Sequence, residues 1–217
     1  FAFVTINALL LGLGSLCLGL RSIFSAGVLA GWDKGQLLIF SSYTFGLFTL
    51  IALVLGSIFL AYPLLRKNKK LLFGITIFLD WIFLIYLAAD AFIYLLYRTH
   101  LNFAMIQMTF LGGGRIVSFS LPMIFEIAAW ILGLGLLSWI FTFISFKLAT
   151  FKKLSLTALV LVLAGFCCSN LCYSWGFANF NTRLVSVFDK IPLARPLRMN
   201  TQLQKLGLID KKAIDAR

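Results

Sequence analysis

Three carboxylates, Asp80, Asp90 and Glu126, interrupt apolar runs of this 217-residue chain. An ionisable group inside a bilayer costs about 2.5 to 3.5 kcal/mol on insertion scales, so it faces a helix bundle or water and marks proton traffic, a lipid or partner contact, or an interhelical hydrogen bond. Asp90 stands seven residues before Tyr97 and Glu126 five after Leu121. In antiparallel neighbouring helices both would lie two turns or less below one surface. There they could share a proton or pair with Arg98 or Arg115, and the expected role is packing rather than transport. His100, the single histidine, follows Arg98 and Thr99 and could act as acid or base near neutral pH. No Ser or Cys nucleophile stands with it in a known arrangement, and no His/Asp/Glu set has metal-ligand spacing. No catalytic residue, metal or cofactor is therefore expected. Gly12-Leu13-Gly14 and Gly133-Leu134-Gly135 fall in apolar runs, where they permit close helix packing rather than cradle phosphate. Cys17, Cys167, Cys168 and Cys172 are expected as buried small hydrophobes, since they suggest neither a disulfide framework nor a zinc site.

The elements that must hold these residues are set by composition. The chain is 61% hydrophobic and 12% charged, with a mean hydropathy of +1.00, which excludes a water-soluble globule. Its 19 basic against 7 acidic residues give a net charge of +12, suited to anionic lipid surfaces. Nucleic acid is not an expected partner, because the cations cluster in short runs between apolar stretches instead of on one polar face.

A bilayer core needs about 20 apolar residues per helix, and residues 1–20, 37–65, 71–97, 121–146 and 154–173 meet or nearly meet that length. The expected fold is all-α, with five transmembrane helices and an amphipathic tail. Residues 66–70 and the link bearing Lys147, Lys152 and Lys153 hold seven basic residues and no acid, which makes both cytoplasmic. The N-terminus is then cytoplasmic and the C-terminus periplasmic. Pro63 closes the second span, Pro122 opens the fourth, and Gly112 to Gly114 mark a loop. Trp32 and Trp175 fall at interfaces, whereas Trp81, Trp130 and Trp139 are expected to pack or face lipid. In the tail Phe180, Leu184, Val187, Phe188, Ile191, Leu193 and Leu197 alternate with Arg183, Lys190, Arg195, Arg198 and Lys205. That pattern predicts a segment lying on the outer leaflet, with a short helix starting at Asn200 or Thr201 and ending at Gly207. The chain opens inside an apolar run and closes in charged residues 210–217, which reads as a piece of a longer protein.

The run from Asp90 through Tyr97-Arg98-Thr99-His100-Leu101-Asn102, the run Tyr173-Ser174-Trp175-Gly176-Phe177-Ala178-Asn179-Phe180, and Ile191-Pro192-Leu193 leading to Leu203, Lys205, Gly207, Leu208 and Asp210 carry a resemblance. The chain resembles, essentially end to end, the N-terminal membrane domain of the PbgA/YejM family of Gram-negative inner-membrane proteins. The resemblance implies a five-helix domain over residues 1–173, an interfacial linker over 174–217, and a periplasmic sulfatase-like domain beyond it. It implies a non-enzymatic sensor of lipopolysaccharide that controls lipid A synthesis through a tetratricopeptide-repeat adaptor protein, with cardiolipin as a further lipid partner. The family's linker contacts lipid A through two adjacent arginines after a Pro-Met-Thr-Ala run. Here the matching stretch is Pro196-Leu197-Arg198-Met199 followed by Asn200 and Thr201, so Arg195 and Arg198 are the expected phosphate contacts. A further acidic position of the family, in its Trp-Ala-Asp-Ala-Asn run, is Phe177 here. Two competing classes remain: the anchor of a periplasmic phosphoethanolamine or phosphoglycerol transferase, and a transporter in which Asp80, Asp90 and Glu126 line one polar path.

Overall fold

The computed structural model describes residues 2–61, 68–101, 107 and 121–196. All five expected spans are helices: α1 (Ala2–Ser25), α2 (Lys34–Ala61), α3 (Lys69–Tyr97), α4 (Leu121–Leu148) and α5 (Lys152–Ala178), with a 3-10 turn (Val28–Gly31) after α1 and a short α6 (Thr182–Phe188) in the tail. No strand occurs among the described residues. Each long helix has the length and hydropathy to cross a membrane. The chain runs up and down, so that Ser25, Lys34, Tyr97, Leu121 and Ala178 lie at one end, here termed upper, and Ala2, Lys69, Leu148 and Lys152 at the other.

Polar residues beyond the apolar runs set the helix ends. Asp33 and Gln36 cap α2 reciprocally, with Gln36 N–H donating to Asp33 Oδ1 at 2.7 Å and Asp33 N–H to Gln36 Oε1 at 3.0 Å. Asn68 caps α3 by accepting from Leu71 N–H. At the C-terminal, upper end of α5, Asn181 N–H bonds Gly176 O and Phe180 N–H bonds Phe177 O, a Schellman closure with Phe180 at φ 55° where glycine is usual. The turn positions read from Pro63 and Gly112 to Gly114, and the helix expected from Asn200 or Thr201, lie outside the described residues.

Helix α1 is the hub, touching each of the other four long helices. Its buried positions include Ala2, Thr5, Ala8, Gly12, Gly14 and Ser15, and without bulky side chains the backbones approach closely enough for dispersion to hold them. A Cβ at Gly12 would lie 2.9 Å from the Phe45 ring, one at Gly14 3.0 Å from Phe141, and one at Gly135 3.2 Å from Trp81 Nε1. Gly133 differs from the expectation: nothing lies within 4 Å of its Cβ position, so it faces outward. The cysteines are also corrected. Cys17, Cys167 and Cys168 are exposed on the bundle exterior and Cys172 is partly buried, because their apolar surroundings are the surface presented to lipid rather than the helix interior. Helix α4 is buried in its lower half, at Leu134, Ser138, Thr142 and Ser145, whereas residues 124–130 are all exposed.

The tail is not simply laid on the membrane. Val187, Phe188 and Ile191 bury against Ile23, Phe40, Tyr43 and Tyr173 at the upper end. Phe188 meets Tyr43 edge-on at 4.9 Å and Tyr173 at 4.8 Å. Gln36 Nε2 donates to Arg183 O at 3.0 Å. Part of the apolar period that suggested a lipid-facing stripe thus seats the tail on α2 and α5, while Phe180 and Leu193 stay exposed.

Candidate functional site

Asp90, 1% exposed, holds back the chain that leaves α3. Arg98 takes the left-handed conformation at φ 58°, its N–H bonded to Tyr94 O, which reverses the backbone over the helix end. His100 then reaches Asp90 Oδ2 through Nδ1 at 2.8 Å, and Leu101 N–H donates to Asp90 Oδ1 at 2.7 Å. A left-handed non-glycine residue costs about 1 kcal/mol or more, which two charge-assisted bonds offset. The imidazole stacks on Tyr94, ring centroids 4.9 Å apart. Its Nε2 is buried and without a hydrogen-bond partner, so one donor or acceptor of the dyad is left for something else.

His100 also lines a pocket of about 460 Å³ between this turn and the tail, together with Tyr173, Phe188, Asp189, Ile191, Leu193, Ala194, Arg195 and Pro196. Leu193 at φ 60° turns the tail so that the pocket wall continues to Arg195, and the Tyr43 hydroxyl meets the Arg195 backbone amide. Lys190 Nζ sits 6.0 Å above the Tyr94 ring. The site thus presents an exposed guanidinium beside apolar walls, with Asp189 as the single carboxylate among the lining residues and Lys190 in the adjoining cleft. A guanidinium beside apolar walls is the chemistry that suits an oxyanion bearing apolar groups. Of the expected lipid contacts, Arg195 and Pro196 line the pocket; Leu197, Arg198, Met199, Asn200 and Thr201 lie outside the described residues. Below His100 a cleft of about 20 Å³ lined by Ser15, Ser22, Thr44 and Asp90 continues into the bundle, large enough for one water.

The other two carboxylates are elsewhere. Asp80 anchors a polar network at the lower half of the bundle: Asn7 Nδ2 donates to Asp80 Oδ2 at 2.8 Å, Thr142 Oγ1 to the same oxygen at 3.3 Å, and Ser145 Oγ to Asn7 Oδ1 at 3.2 Å. Glu126 is exposed and does not pair with Asp90, which corrects the expected contact; Arg98 also makes no ion pair among the described residues, and Arg115 lies outside them. Equal depth was legible from the spacing, but the azimuth around α4 was not, and it leaves Glu126 exposed. The three carboxylates therefore occupy three separate settings rather than one path. Sequence reading also passed over Asn7, Tyr94, Asp189 and the serines and threonines of α4. The spacing of Ser138, Thr142 and Ser145 along one helix face is a signal that could have found the last group.

No curated protein matches the chain. A family profile described as "Domain of unknown function (DUF3413)" covers residues 1–217, that is, both the five apolar helices and the tail that builds the pocket, and the chain accordingly belongs to the DUF3413 family.

Proposed function

We propose that this protein is a non-enzymatic sensor of lipopolysaccharide in the bacterial inner membrane, reading lipid A at the upper pocket and regulating lipopolysaccharide synthesis through a cytoplasmic tetratricopeptide-repeat adaptor. The observation that carries this reading is the pocket of about 460 Å³ that the exposed Arg195 and the His100 turn line together with apolar walls. A phosphate of lipid A takes Arg195 and, in this reading, Arg198. Asp189 accepts from sugar hydroxyl or amide N–H groups, and acyl chains meet the exposed apolar surface of the helices. Cardiolipin, with two phosphates and apolar chains, satisfies the same cations. Because Asp90 ties His100 to α3, filling the pocket bears directly on the turn that leaves α3, and α3 runs through the bundle to the adaptor side.

Each cation beside an anionic lipid surface contributes about 1 kcal/mol, so the double variant Arg195→Ala, Arg198→Ala is expected to lower lipopolysaccharide affinity about thirtyfold. The loss shrinks as salt rises. Binding by the variant as tight as that of the wild type at low ionic strength, measured by titration in detergent, rejects the site.

A further inference from the structure

Also toward the upper end, Arg21 of α1 lays its guanidinium over Trp130 of α4, Cζ 4.3 Å from the indole centroid. Glu126 precedes Trp130 by four residues and so shares its face of α4, one turn nearer the upper end. Arg21 and Glu126 are both exposed, and neither makes an ion pair with any described residue. Arg21 lies four residues below Ser25 and Glu126 five below Leu121, depths of about 6 to 8 Å at 1.5 Å per residue, where headgroups give way to acyl chains. A carboxylate at that depth is costly without a counter-charge, and none of the described residues supplies one.

The complementary charge pattern is a zwitterion with phosphate toward the guanidinium and an N–H-bearing ammonium toward the carboxylate. Choline has no N–H to donate, and the indole face that could receive it already carries Arg21. A glycerol headgroup has no cation for Glu126. We propose that Arg21, Trp130 and Glu126 form a headgroup site for phosphatidylethanolamine of the surrounding leaflet, with its phosphate on Arg21 and its ammonium on Glu126. This site shares no residue with the tail pocket and does not depend on the sensor reading.

Native mass spectrometry of the full chain, offered equal amounts of phosphatidylethanolamine, phosphatidylcholine and phosphatidylglycerol, tests it. The ethanolamine lipid should be retained in preference to both others. Glu126→Gln should cut that retention about tenfold, as expected for one lost charge-assisted hydrogen bond, and leave phosphatidylglycerol unchanged. Arg21→Gln should reduce retention of the ethanolamine and the glycerol lipid alike. Equal retention of the ethanolamine and choline lipids by the wild type overturns the proposal, and so does Glu126→Gln without loss. The double variant Arg195→Ala, Arg198→Ala should keep the ethanolamine preference; its disappearance there would assign the preference to the tail and overturn the site.

Discussion

At the residue scale the pivotal side chain is Asp90, which spends both carboxylate oxygens on the 98–101 turn. Asp90→Ala leaves Leu101 N–H and His100 Nδ1 without their acceptor, at an expected cost of about 1 to 3 kcal/mol. Asp90→Asn retains an acceptor for Leu101 and can donate to the imidazole, so its cost should stay below about 1 kcal/mol. Thermal unfolding of both variants in one detergent checks the order, and equal losses would show that the hydrogen bonds are not what holds the turn. Asp80 behaves differently because it joins helices. Its contacts to Asn7 and Thr142 cross α1, α3 and α4, and interhelical bonds in bilayers average about 0.6 kcal/mol with a maximum near 1.7. Asp80→Ala should therefore loosen the bundle by about 1 to 2 kcal/mol.

At the element scale, whether a small residue matters depends on what its Cβ would meet. A Cβ at Gly46 would lie 3.0 Å from Phe166 Cγ, where α2 crosses α5, and Ser42 and Ser169 hydroxyls join the same pair at 2.6 Å. Gly46→Val should therefore push these helices apart and cost about 1 to 3 kcal/mol. Gly133→Ala, with open space at its Cβ, should be neutral or stabilising by up to about 1 kcal/mol through helix propensity. Melting temperatures of the two variants separate the roles; a Gly133→Ala loss as large as that of Gly46→Val would contradict the packing described. The tail element hangs on Phe188, 3% exposed. Phe188→Ala removes the ring that Tyr43 and Tyr173 grip, at a cost of about 3 to 5 kcal/mol, most of which should appear as local release of residues 182–196. Hydrogen exchange confined to those residues, with α1 to α5 still protected, is the expected signature.

For the whole molecule, the lower end gathers Lys69, Lys70, Lys147, Lys152 and Lys153 beside the link bearing Arg66 and Lys67, and this asymmetry predicts a cytoplasmic lower end. Cysteine introduced at Asn68 or Thr150 should resist a membrane-impermeant thiol reagent added outside spheroplasts and react after lysis; labelling before lysis would invert the assignment. The cysteine-free background needs Cys17, Cys167, Cys168 and Cys172 replaced, and their peripheral placement makes that substitution mild. Five helices and their approximate limits followed from the sequence alone, because a stretch of about 20 apolar residues has one low-energy form in a bilayer, whatever surrounds it. The caps formed by Asp33 with Gln36 and by Asn68 act within one turn, a local signal that the sequence reading passed over. What only the tertiary structure decided is which way each side chain faces. Asp90 and Glu126 stand at matching depths, yet one is sealed by a turn ten residues later and the other faces outward, since hydropathy fixes position along the membrane normal but not rotation about the helix axis. Val187, Phe188 and Ile191 carried the same ambiguity. Their period specified an apolar face, and whether lipid or protein covers it depended on an aromatic socket assembled from α2 and α5, residues more than a hundred positions apart in the chain.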